Sequence, residues 1–173
     1  LLDEIEAGMP AFIEANTWQE LCRQWLLVAS ANKDIPVPVD VVGSEWASGF
    51  TVDVVGASDS AEAMVLGDCF WQDEPMGIEA VEALIRKASA ALPKHSDEQA
   101  DDREPGHMGD TEDRPWQIYF TGFSKSGWTA EAQAQATKLA ELAAGRSRKR
   151  WQSAGVRLLD LATVDADLAR WSV

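Results

Sequence analysis

The chain has 173 residues, 46% of them hydrophobic and eight of them tryptophan, which suits one folded domain with a sizeable core. Its formal net charge of −14 opposes binding to a polyanion unless the basic residues are segregated or a metal ion intervenes. No apolar run approaches a membrane-spanning length, no signal peptide pattern is present, and Cys22 and Cys69 suit buried thiols, so we expect a cytoplasmic protein without a membrane segment. The chain begins at Leu1, which predicts a piece of a longer protein.

The first predicted element is an amphipathic helix from Phe12 to Ala29, because apolar residues recur there at helical spacing. On a helical wheel Gln19 flanks the apolar stripe, whereas Glu20 points away from it and stands at capping-box spacing. The segment from Val37 to Trp46 then alternates in character. It predicts the outer strand of a three-stranded meander.

Two apolar, β-branched runs, 51–55 and 63–70, are joined by turn-forming residues and predict a hairpin. Each run carries one acid, Asp53 and Asp68, where a strand normally holds an apolar residue. Regular alternation brings the two carboxylates together if their faces coincide, and such a pair suits Mg²⁺, which prefers one or two carboxylates plus waters. The alternative is that each Asp accepts backbone hydrogen bonds at a strand end or bulge, which needs no metal.

A helix from Ile78 to Leu92 is predicted next, and Arg86 and Lys87 flank its apolar stripe. The segment Lys94 to Pro115 follows, with eight acids, three bases and both histidines, and predicts a mobile acidic insertion. The remaining predicted elements are a strand, a helix, a strand and a helix: Trp116 to Thr121, Ser126 to Gly145, Val156 to Asp160, and Thr163 to Trp171.

One concentrated positive patch occurs in the sequence. It consists of Arg146, Arg148, Lys149 and Arg150, directly after the predicted Ala-rich helix. Contact with the phosphates of a nucleic acid is one interpretation, and a solvated helix C-terminus is the other, because basic side chains complement the helix dipole there. The sequence leaves these two interpretations open.

Four short motifs together resemble a known family. They are Gly43 to Trp46, Val52-Asp53-Val54-Val55, Gly67-Asp68-Cys69-Phe70-Trp71 and Phe123 to Trp128. The set is similar to the PD-(D/E)xK nuclease superfamily. It is closer to the nuclease-like C-terminal domain of unknown function that follows the P-loop ATPase module in archaeal and bacterial AAA-type ATPases.

The resemblance implies an α/β (α+β) fold with a restriction-endonuclease-like core. A mixed central sheet is flanked by helices in the order α-β-β-β-α-β-α-β-α, within a single domain over residues 1–173 that carries the insertion at 94–115. It also implies an N-terminal ATPase module in the same chain as partner, DNA as a second partner, and Asp53 and Asp68 as the carboxylates of a Mg²⁺ site.

The chain departs from this family at the lysine position, which Phe70 occupies. A Phe side chain can neither orient an attacking water nor neutralise a phosphate. The Glu of the family's first helix falls by position on Gln19 or Glu20, and the wheel favours the uncharged Gln19. We therefore expect a catalytically degenerate domain that binds nucleic acid or protein as a regulatory appendage of an ATPase.

The alternative is an active Mg²⁺-dependent DNA endonuclease that uses Asp53 and Asp68 with a relocated lysine. Lys87 is the first candidate for that lysine, ahead of Arg86 on the same helix, and Lys125 is another. The other interpretation of Lys87 and Arg86, which the sequence favours, is a solvated basic side chain near a helix C-terminus that complements the helix dipole. A plain protein-interaction module is a third hypothesis, which the overall acidity favours.

Overall fold

A five-stranded mixed sheet forms the centre of the computed structural model, which describes residues 9, 12–47, 49–93 and 114–172. Its strands lie in sequence order, with β1, β2 and β3 antiparallel and β3, β4 and β5 parallel. The strands are β1 (Val41–Ala47), β2 (Phe50–Ser58), β3 (Ala63–Phe70), β4 (Trp116–Ser124) and β5 (Trp151–Asp160).

Helices cover both faces of this sheet. A π-helical turn, Ile13–Trp18, leads into the first α-helix. The α-helices are α1 (Gln19–Ala31), α2 (Ile78–Arg86), α3 (Ala88–Ala91), α4 (Ala130–Gly145) and α5 (Leu161–Trp171). The mixed α/β fold class and the predicted order of elements are therefore confirmed.

Alternation along the strands gives the sheet two buried faces. Leu66 and Phe120 pack on one face with α2, α3 and α4, and this cluster forms the first core layer. Val65 and Phe123 pack on the other face with α1 and α5, where Trp25 is fully buried, and this cluster forms the second core layer. The two acids, Asp53 and Asp68, lie near the carboxyl end of β3, between the two core layers.

Several predicted boundaries differ from the structure for identifiable reasons. The predicted strand from Val37 begins only at Val41, because Pro36 and Pro38 have no N–H for a sheet ladder. The predicted helix from Ile78 to Leu92 is interrupted at Lys87, which lies between α2 and α3.

The last strand starts at Trp151, five residues before its predicted start, because its backbone pairs with β4 from Trp116 onward. Thr129 caps the N-terminus of α4, since its hydroxyl accepts from the Ala132 N–H at 3.2 Å. Most of the acidic insertion, with His95 and His107, lies outside the described residues.

Candidate functional site

Asp68 lies in β3 between Leu66 and Phe70, on the face that packs against α2, and only 6% of its surface is exposed. Its Oδ2 accepts a hydrogen bond at 2.6 Å from the Nζ of Lys87. Its Oδ1 is buried and has no partner among the described residues. Since a buried carboxylate needs a compensating charge, the Lys87 ammonium is what stabilises Asp68 at this position.

The interruption between α2 and α3 brings Lys87 to this acid. Lys87 also lines a groove between these helices and the start of β2, together with Arg86 and Thr51. Arg86 is exposed and forms no ion pair with any described residue. The groove therefore presents two basic side chains, one of them already bound to Asp68.

Asp53 lies at a bulge of β2. Gly43 pairs with Val55 and Glu45 pairs with Val52, so β2 holds one more residue than β1 at this point. Val52 and Val55 accordingly pack in the first core layer, whereas Val54 packs in the second. The prediction of regular alternation along this strand is wrong here, because the extra residue changes the sheet face toward which the side chains beyond it point.

The carboxylate of Asp53 is held by groups from α1 and β3. Its Oδ1 accepts from Gln19 Nε2 at 3.1 Å, and its Oδ2 accepts from the Cys69 backbone N–H at 2.9 Å. Arg23 donates from Nε to the Asp53 carbonyl oxygen at 3.0 Å and from Nη2 to Gln19 Oε1 at 3.2 Å. Asp53 and Asp68 thus take their partners from helices on opposite faces of the sheet.

The predicted orientations on the first helix are confirmed. Gln19 reaches Asp53, whereas Glu20 is exposed and bonds to Arg23 and Gln24 on its own helix. The contribution of Arg23 was not predicted. The signal for it is its position four residues after Gln19, which places both side chains on one helix face.

Phe70, which stands where the resemblance to nucleases would place a lysine, packs in the first core layer. Its ring meets the Trp128 ring edge-on at a centroid distance of 5.9 Å. An aromatic contact of this kind stabilises the core by burial and ring geometry. Phe70 therefore contributes packing to the core at the end of β3.

Lys125, another candidate, is engaged elsewhere at the end of β4. Its Nζ lies 2.6 Å from Asp73 Oδ1 and 5.1 Å from the centroid of the Trp71 ring. The hydrogen bond from Lys125, and then its positive charge, hold the pKa of Asp73 below its ordinary value. The hydrogen bond and the ion pair of Lys125 are thus made with Asp73.

Cys69, between the two acids, is buried and free, as is Cys22 on α1. Burial raises the pKa of the Cys69 thiol well above its ordinary value, and the hydrogen bond with Cys22 raises it further. The negative charges of Asp53 and Asp68 act in the same direction. Both thiols are small core side chains, as predicted.

The basic segment after α4 forms an exposed turn, in which Arg146, Arg148, Lys149 and Arg150 are all exposed. Arg148 and Lys149 have left-handed backbones, with φ of 56° and 62°. None of the four side chains forms an ion pair with a described residue. We refer to residues 146–150 as the basic turn.

The groups around the two acids do not form a set of ligands for a Mg²⁺ ion. In the described ranges, no three His, Cys, Asp or Glu side chains are grouped so that they could hold one metal. Lys87 already balances the charge of Asp68, and the two oxygens of Asp53 accept from Gln19 and Cys69. Since Gln19 offers Asp53 a donor where a ligand oxygen would be needed, the side chains do not fit a resident Mg²⁺.

The fold and these sites define a mixed α/β domain with a buried, lysine-paired aspartate at the end of a central strand. A family model described as archaeal and bacterial proteins of unknown function, DUF234, matches residues 1–88. This match covers half of the chain and includes both acids and Lys87, so the chain belongs to that family. Comparisons with curated proteins and with solved structures give no significant match. None of the helices in the described residues combines the length and the apolar character that a membrane crossing needs.

Proposed function

We propose that this chain is a catalytically degenerate nuclease-like domain that acts by binding, as a regulatory appendage of an ATPase. The order of its elements supports the nuclease-like part. An antiparallel meander, β1 to β3, is followed by a helical crossover to the parallel strand β4. The ATPase part is supported by the motifs that resemble the C-terminal domain of AAA-type ATPases.

The observation that carries the proposal is the compensation of both acids by protein groups. Lys87 neutralises Asp68 at 2.6 Å, while Gln19 and the Cys69 N–H satisfy the carboxylate of Asp53. Two carboxylates with separate partners on opposite layers need no shared cation. Phe70 packs on Trp128, so the strand position for a catalytic lysine contributes to the core.

A second candidate function is an active endonuclease with Lys87 as the relocated lysine. It is favoured by the contact of Lys87 with Asp68 and by the buried Asp68 Oδ1 without a partner. A carboxylate oxygen in that state is available to an incoming ligand. The groove beside Lys87 also holds the unpaired Arg86.

Isothermal calorimetry with Mg²⁺ and Mn²⁺, followed by a DNA cleavage assay with the same ions, separates these two candidates. We expect no saturable metal binding at millimolar concentration and no cleavage, for the wild type and for Asp53→Asn and Asp68→Asn alike. Asp165→Asn serves as the matched control. Asp165 is an exposed acid on α5, and its substitution removes one negative charge outside the candidate site.

Metal binding that is lost in Asp53→Asn and Asp68→Asn but kept in Asp165→Asn would contradict the degenerate site. Cleavage that is lost in Lys87→Ala would establish the endonuclease instead. A uniform loss of metal affinity in all three Asn variants would instead report the overall charge of the chain.

A further inference from the structure

The basic turn lies at the amino end of the parallel strand β4, whereas Asp68 lies beside the carboxyl end of that strand. The Trp116 N–H donates to the Arg150 carbonyl oxygen at 3.1 Å, which fixes the turn beside the start of β4. Asp68 pairs with Gly122, six residues further along the same strand. At about 3.3 Å per residue, the turn and Asp68 are separated by roughly 20 Å along β4.

The backbone of the basic turn is held by hydrogen bonds at both ends. Ser147 is buried, its Oγ lies 2.7 Å from the Ala144 carbonyl oxygen, and it accepts from the Trp151 N–H at 3.4 Å. The Arg150 N–H donates to the Ser147 carbonyl oxygen at 3.2 Å. A turn fixed in this way presents its side chains with little further ordering cost on binding.

A groove of about 860 Å³ opens beside the turn and is lined by Arg114, Lys149, Gln152 and Ser153, with Glu141 as its one acidic side chain. Together with the exposed Arg146, Arg148 and Arg150, the groove gathers five cations and, among the described residues that line it, one carboxylate. Fields of more distant acids decay over a Debye length of about 8 Å at physiological salt. Among the described residues of this site, positive charges therefore outnumber negative ones, although the chain as a whole is acidic and Asp113 directly precedes Arg114 in the sequence.

We infer that this turn and groove form a binding site for the phosphodiester backbone of a nucleic acid, separate from the degenerate acid site. Unpaired Arg and Lys side chains on a fixed backbone suit phosphates, which arginine binds through its planar fork of donors. Trp151 also lines the groove, but it is only 2% exposed and packs edge-on against Phe120, so among the described lining residues no aromatic face is open for stacking on bases. We therefore expect a contact that is independent of sequence. This inference rests on the proposed binding function, to which it adds the class of partner.

The test is fluorescence anisotropy with fluorescein-labelled DNA, as a single strand and as a duplex, titrated over a range of salt with EDTA present. The wild type is expected to bind at low salt without a metal. In the double variant Arg148→Gln/Lys149→Gln, the slope of log Kd against log salt should fall by about 1.4 for single strands or about 1.8 for duplex. At about 0.1 M salt this corresponds to roughly 25-fold to 60-fold weaker binding.

The matched control is Lys33→Gln/Lys138→Gln, which makes the same change of net charge at two exposed lysines outside the groove. Lys33 also has a left-handed backbone, with φ of 57°, so it tests the effect of substitution at such a position. Arg148→Lys keeps the charge and should keep most of the affinity. Circular dichroism melting checks that each variant is folded.

Three results would overturn the inference. The first is no salt-dependent binding by the wild type. The second is equal weakening in the two double variants, which would report net charge alone. The third is displacement of DNA by polyglutamate at equal charge concentration, which would assign the surface to an acidic protein. Metal binding or DNA cleavage that depends on Asp53 and Asp68 would refute the proposed function. The anisotropy result would still show whether the basic turn binds DNA.

Discussion

Loss of the Lys87 ammonium would leave the Asp68 carboxylate buried without its cation. The side chains of this pair are 22% and 9% exposed, so water can replace the ammonium only in part. We expect Lys87→Met to lower the free energy of unfolding by about 2–3 kcal/mol, because an uncompensated buried charge is costly. Urea unfolding monitored by tryptophan fluorescence measures this change.

The double variant Lys87→Met/Asp68→Asn provides the control for that prediction. It removes the stranded charge, so it should recover most of the lost stability, and the two changes should be strongly non-additive. Additive effects would mean that Lys87 acts through its packing rather than through Asp68. Such a result would also weaken the charge compensation on which the degenerate site depends.

At the residue scale, the sequence identified side chains that contact the two acids more accurately than it predicted the sheet face on which Asp53 lies. The wheel placed Gln19 toward the site and Lys87 beside the stripe of its helix, and both side chains reach an acid. The facing of Asp53 was not predictable from β2 alone, because the bulge is defined by its register with β1. Local alternation carries no information about such a register shift.

The closing helix α5 is anchored by one acid in the second core layer. Asp167 Oδ2 accepts from the Trp25 Nε1–H at 3.0 Å and from Arg157 at 3.1 Å, while its Oδ1 accepts from Arg170 at 3.0 Å. Removal of this carboxylate would leave the buried indole N–H and Arg157 without their shared acceptor. Asp167→Ala should therefore destabilise the fold by about 3 kcal/mol.

Asp165→Ala is the matched variant for this element, because Asp165 is an exposed acid on the same helix. Its expected effect on stability is below about 0.5 kcal/mol, as for most surface substitutions. Urea unfolding of the two variants gives the comparison. Equal effects would show that Asp167 contributes through helix electrostatics rather than through its three bonds.

At the element scale, the order of helices and strands was predictable because each depends on a local periodicity. The boundaries depended on tertiary contacts. The extension of β5 back to Trp151 follows from its pairing with β4, and the break at Lys87 brings that side chain to Asp68. The Asp167 cluster joins α1, β5 and α5, so no single segment of the sequence could reveal it.

At the scale of the whole molecule, the net charge of −14 is unevenly placed along the chain. Positions 94–113 carry eight acids and two bases, and the first eight positions carry three acids and no base. A large part of the negative charge thus belongs to segments outside the described residues. The overall charge alone therefore does not exclude a nucleic acid partner for the basic turn.

The stability of the molecule should fall at alkaline pH. Burial, and then the Cys22 contact and the nearby acids, raise the pKa of Cys69 in the folded state. An unfolded thiol ionises near pH 8.5. Above about this pH the unfolded chain loses a proton that the folded chain retains, so the free energy of unfolding decreases by about 1.4 kcal/mol per pH unit until the folded pKa is reached.

Tyr119 extends the same trend to higher pH. Burial raises the pKa of Tyr119. The positive charge of Arg157 lowers this pKa, the negative charge of Asp34 raises it, and the hydrogen bond with Arg157 lowers it by less, so that the net shift is upward. Since Tyr119 is the only tyrosine of the chain, the ultraviolet absorbance of its phenolate reports this pKa directly.

Urea unfolding at a series of pH values tests both groups. Cys69→Ala should lower stability at every pH through lost packing, by about 1 kcal/mol, but flatten its decline above about pH 8.5. Tyr119→Phe should leave the fall in stability that begins at about pH 8.5 unchanged, but should flatten the further fall above about pH 10, where a free tyrosine ionises. The slopes decide the outcome, because a packing defect shifts a stability curve without changing its dependence on pH. If Cys69→Ala keeps the wild-type slope, another group binds the proton that folding retains, and the thiol is not the origin of the alkaline loss.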